Sequence, residues 1–81
     1  MSPNWHRHEY WLKFSSLDAG EPAHIHISSD GGAAKFWLDP VRLAANHGYN
    51  KYELQKAQRF VEEHKEWLMD EWKKFWDQHH S

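Results

Sequence analysis

At Asn50 the chain changes its hydrophobic period, and few folds satisfy both halves. Upstream, apolar and polar residues alternate in twos. From Lys51 to about Gln78, apolar residues recur at helical spacing, with no proline or glycine in between. At about 100° per residue, Leu54, Ala57, Val61, His64, Leu68, Trp72, Phe75 and Trp76 fall on one stripe. Asn50 is placed to cap the helix, and Glu53, three residues on, completes a capping box. A sheet followed by a helix lying on it is the simplest structure with both periods, so the expected class is α+β.

The upstream half divides at its turn residues. Glu9 to Ser15 alternates, with Tyr10, Leu12 and Phe14 on one face and Trp11 and Lys13 on the other. Ser16 to Ala23 contains Asp18, Gly20 and Pro22 and should reverse the chain. His24 to Ser29 reads as a second strand. Asp30-Gly31-Gly32 then signals a tight hairpin, because such turns need positive φ and glycine supplies it without steric cost. Ala33 to Asp39 is the third strand, ended by Pro40, and Val41 to Ala44 makes a short fourth. Asn46 to Asn50 is a loop by composition, and Met1 to His8 a loosely attached arm. The expected domain is therefore single, over residues 1–81. It has an arm at 1–8, a small antiparallel sheet of three to four strands at 9–44, and one long C-terminal helix at 51–78 packed on one face.

A straight helix over 51–78 would be about 42 Å long, whereas a domain of this size has a radius of gyration of about 12 Å. Its last turns should overhang. Phe60 and Trp67 lie about 80–100° off the stripe and form a second ridge that the expected sheet cannot cover. With Trp72 and Trp76 on the overhang, this ridge is the expected docking site for a protein partner or a second copy of the chain.

Composition removes several classes of function. The 81 residues include no cysteine, which excludes disulfides and thiolate zinc sites and fits a reducing, cytoplasmic setting. No apolar run approaches a membrane span, and the first residues lack the order of a signal peptide. Ten basic and twelve acidic residues give a net charge of -2, so any nucleic-acid affinity must come from a local patch. Six tryptophans and eight histidines are many for this length. The first demand burial or an interface, and the second make charge depend on pH.

The chemistry concentrates in His24-Ile25-His26. On a strand these imidazoles share one face about 6.6 Å apart, with the isoleucines on the other. Imidazoles ligate divalent metals, and His64, at the margin of the helical stripe, is the third candidate ligand for a site of His24, His26 and His64. No metal or other cofactor is required by the sequence. Alternatively, His24 and His26 act as acid and base, with Lys35, in a small metal-independent ribonuclease. They could also simply hydrogen-bond backbone and hold the hairpin. The outcome depends on which sheet face the helix covers. Burial of Leu12, Ile25, Ile27, Phe36 and Leu38 favours the aliphatic face, at roughly 1.5–3 kcal/mol per large side chain. The histidines would then stand among Trp11, Lys13, Lys35 and Trp37, a composition suited to RNA. Serine-nucleophile, paired-carboxylate and glycine-rich phosphate motifs do not occur.

Taken together, Pro22-Ala23-His24-Ile25-His26, the run Gly32 to Val41, Tyr52-Glu53-Leu54, Glu63-His64 and Trp72 resemble the bacterial family known as domain of unknown function 4160. The family pattern commonly reads Pro-Pro-His-x-His, and Ala23 replaces the second proline here. The resemblance implies a β-hairpin sheet with a long C-terminal helix. It also implies gene pairing with another small domain, in the manner of toxin and antitoxin systems. The pattern touches His24, His26, Lys35, Trp37, Glu53, His64 and Trp72. On this basis the chain is expected to be an interaction module in such a regulatory pair.

Overall fold

A computed structural model of the chain describes residues 4–7, 9–14, 20 and 22–80, with side chains at 9–14, 20 and 22–77. Its elements are β1 (Asn4–Arg7), β2 (Tyr10–Lys13), β3 (His24–Ser29), β4 (Gly32–Leu38), β5 (Val41–His47), α1 (Lys51–Glu63) and α2 (Lys65–His80). The strands pair antiparallel in chain order as one five-stranded meander. The α+β class is as expected, with more strands and a divided helix.

Period two decides which face the helices cover. Leu12, Ile25, Ile27, Ala34, Phe36 and Leu38 are buried on one side of the sheet, against Ala57, Phe60 and Val61 of α1 and Leu68, Trp72 and Phe75 of α2. Phe14, just beyond β2, is fully buried and meets Trp72 edge-on at 5.4 Å and Phe75 at 5.5 Å. The aliphatic face thus carries the helices, and the opposite face stays uncovered except around His24, which Trp72 of α2 reaches.

Two sheet boundaries differ from expectation. Residues 4–7 of the supposed arm form an edge strand, with Trp5 opposite Leu12 and Arg7 opposite Tyr10; residues 1–3 and 8 lie outside the described residues, as do 15–19 and 21 of the reversing turn. At the other edge β5 runs on to His47 through a bulge. Lys35 pairs with Ala45 and Phe36 with Leu43, leaving Ala44 as the extra residue. That extra residue inverts the alternation, and Asn46 and His47, a loop by composition, belong to the strand.

The hairpin between β3 and β4 turns through Asp30 and Gly31, and Ser29 pairs with Gly32. Positive φ is needed at Gly32 (151°). A Cβ there would lie 2.7 Å from the His47 carbonyl oxygen and 2.9 Å from Tyr49 N, so backbone approaches that only glycine permits seat the hairpin tip against the end of β5. The capping box forms as the sequence predicts: Glu53 N donates to Asn50 Oδ1 at 2.8 Å, and Asn50 N donates to Glu53 Oε1 at 3.3 Å.

The single long helix is replaced by two. His64 has φ -109° and ψ 16°, away from helical values, while His64 N still donates to Phe60 O (3.1 Å) and Leu68 N to His64 O (2.9 Å). The hydrogen-bond ladder is carried across the break at His64. The whole domain is 39 Å in its longest dimension, with a radius of gyration of 12.0 Å. Phe60 is consequently no outer ridge. It is 7 % exposed and packs on Tyr10 at a ring distance of 5.0 Å. Tyr10, on the aliphatic face of β2, covers the ring that the helical stripe alone leaves to one side.

Candidate functional site: the uncovered sheet face

Strand register arranges the uncovered face in transverse rows, because directly paired residues share a face. Trp11, Ser28 and Ala33 make one row. Lys13, His26, Lys35 and Ala45 make the next, and His24, Trp37 and Arg42 the third. None of the five strands contains an aspartate or glutamate. Among the described residues, the acids next to the strands in sequence are Glu9, just before β2, and Asp30 and Asp39, in the turns at the ends of β4; Glu9 pairs with Lys56 and Asp39 with Lys65. A chain of net charge -2 therefore presents a sheet face whose charged side chains from β2 to β5 are all cations.

A concavity of about 300 Å³ lies in this face, lined by Lys13, His26, Ser28, Ala33, Lys35, Ala45 and His47, with Ile27 and Ala34 beneath. Small residues form its floor and cationic or polar ones its walls. Trp11, paired with the lining residue Ser28, is 51 % exposed. Lys35 Nζ lies 4.8 Å from the centre of the Trp37 ring, a cation–π contact that holds the ammonium over the face.

The two strand histidines have different surroundings. Their rings stand edge-on at 5.3 Å, sharing a face as predicted. His24, however, is fully buried between Trp72 (5.0 Å) and Trp37 (5.8 Å). Its Nδ1 lies 2.8 Å from the Pro22 carbonyl oxygen, which can only accept, so Nδ1 carries the proton. Trp76 stacks on Trp72 at 5.7 Å and closes that side. His26 is half-buried and lines the concavity. An acid–base pair acting on one phosphodiester needs both rings at the substrate, and His24 is sealed from it. The residues of the proposed ribonuclease site thus separate: His26 and Lys35 face the concavity and His24 belongs to the aromatic packing beneath α2.

The third ligand of the expected metal site is elsewhere. His64 stands at the junction of α1 and α2, with its ring 4.5 Å from that of Phe60. Among the described residues, no three of His, Cys, Asp or Glu come together as a metal-binding group, so His24, His26 and His64 do not converge.

The aromatic ridge is also redistributed. Phe60 and Trp72 are buried, while Trp67 and Trp76 are half-buried and packed against the core. These residues are largely consumed by the chain's own fold. Sequence reading missed Ser28, Ala33, Ala45 and His47 as parts of a site. The bulge hid Ala45 and His47, and small residues carry no signal until register places them between two lysines.

Fold and face together define a small α+β domain with helices on its aliphatic side and a largely open sheet surface whose strands carry no aspartate or glutamate. Residues 10–73 match the family described as Domain of unknown function (DUF4160), and the chain belongs to that family. Neither the curated proteins nor the solved structures contain a match. Among the described residues no helix is long and apolar enough to cross a membrane.

Proposed function

We propose that this chain is an interaction module, one component of a toxin–antitoxin-like or regulatory pair, and that it engages an anionic partner through the uncovered sheet face. The observation that carries this reading is the row Lys13–His26–Lys35 beside a ligand-sized concavity, on strands that contain no aspartate or glutamate. The pairing is what the family resemblance implies. The face is preferred to the helix ridge because Phe60 and Trp72 are already covered.

Retention on immobilised heparin at neutral pH tests it. The wild type should be retained despite its negative net charge. A Lys13→Glu/Lys35→Glu double variant should flow through, whereas Lys73→Glu/Lys74→Glu, with the same change in net charge on the exposed side of α2, should stay bound. Flow-through of the wild type, or equal loss in both variants, would sink the proposal.

A further inference from the structure

We infer that the anionic partner of this face is single-stranded RNA, with a phosphate held between Lys13 and Lys35 and a neighbouring base laid on Trp11. The assignment rests on the open face being a binding surface, and adds the chemical class of what it binds.

Three features carry it. First, Trp11 and Lys13 are two apart on one strand, so they point the same way about 6.6–6.8 Å from each other. That is the separation needed for a ring to take a base while the ammonium takes the adjoining phosphate. Trp11 is 51 % exposed, which fits a stacking platform better than a core residue. Secondly, His26 is directly opposite both Lys13 and Lys35, so the two ammonium groups flank one imidazole in a row across β2, β3 and β4. A backbone crossing that row meets cations and no carboxylate. Thirdly, the concavity beside the row, about 300 Å³, includes the Ser28 hydroxyl and the His47 ring. These offer acceptors for a ribose 2′-hydroxyl, which DNA lacks.

The alternatives fit less well. A duplex keeps its base faces stacked and leaves Trp11 without a role, so the strand must be single. An acidic peptide would match the lysines but has nothing flat to lay on the indole.

Fluorescence anisotropy with labelled octauridylate, its thymidylate counterpart and octaglutamate is the test, using the full chain. Octauridylate should bind more tightly than either other probe. Its log affinity should fall with log salt at a slope of about -1.4, from two lysines at about 0.7 each on single strands, and Lys13→Ala should halve that slope. Trp11→Ala should weaken binding about 5- to 150-fold, and Trp11→Phe should restore most of it, since a phenyl ring still stacks. Circular dichroism of each variant confirms that the fold is intact. Equal binding of the deoxy probe, or no effect of Trp11→Ala in a folded variant, overturns the RNA assignment. Octaglutamate binding with octauridylate excluded, alongside heparin retention, overturns it while leaving the anionic-partner reading standing. Loss of heparin retention by the wild type removes both.

Discussion

Replacing His24 by alanine separates a structural imidazole from a functional one. The ring is fully buried between Trp72 and Trp37, and Nδ1–H donates to the Pro22 carbonyl. Truncation leaves that carbonyl without its donor, at about 1–3 kcal/mol where water cannot replace it. It also opens a cavity between two indoles. Removing a whole phenyl ring from a core costs about 3–5 kcal/mol, and the smaller, more polar imidazole belongs at or below the low end. Together these put His24→Ala near 3 kcal/mol. A domain of this length is stable by about 4–12 kcal/mol at roughly 0.05–0.15 kcal/mol per residue, so the loss is a large fraction of the whole. His26→Ala, at a half-buried position lining the concavity, should cost within about 1 kcal/mol. Urea unfolding followed by tryptophan fluorescence reads both. With m near 1–1.5 kcal/mol/M, the His24→Ala midpoint should fall by about 2–3 M at unchanged m. His24→Gln keeps a donor and provides a folded comparison if the alanine variant does not fold. A shift below about 0.5 M for His24→Ala, or equal shifts for both histidines, would refute the assignment of His24 to the packing.

Other positions test the remaining steps. Phe60→Ala should destabilise by about 3–5 kcal/mol, because Phe60 is core against Tyr10; a change under 1 kcal/mol would return it to an outer ridge. Gly32→Ala should cost at least about 2 kcal/mol, since the new methyl group meets the backbone of His47, Gly48 and Tyr49 at a φ that disfavours side chains, whereas an unchanged urea midpoint would discount that approach. Burial pushes the Tyr10 and Tyr49 phenols above their ordinary value of 10.0, with Glu9 adding to the effect at Tyr10 and the bond to Ser29 partly offsetting it at Tyr49. The folded state therefore holds these protons more tightly than the unfolded chain. Their stabilising contribution is complete below about pH 10 and is lost as pH rises through the raised values. Urea midpoints should fall as pH rises past about 10, and Tyr10→Phe should flatten that decline; a decline as steep in the variant would discount Tyr10 as its source.

What this chain determined by sequence alone was local. Alternation settled which side of each strand is aliphatic, and the Asn50–Glu53 pair set the start of α1, because strand alternation, capping and hydrophobic period act within a few residues. The aliphatic face then had to take the helices, since no other surface buries as much. Tertiary structure decided the rest. Pairing with β2 placed Asn4–Arg7 on the sheet edge, pairing with β4 shifted β5 through its bulge at Ala44, and packing across fifty residues brought Tyr10 of β2 onto Phe60. Tertiary packing also gave His24 and His26, two residues apart, opposite fates. Trp72 and Trp76 of α2 close over His24, while His26 is flanked by two lysines from neighbouring strands. Period two can put both imidazoles on one face, but whether a ring is sealed or open depends on what the chain brings over it some fifty residues later.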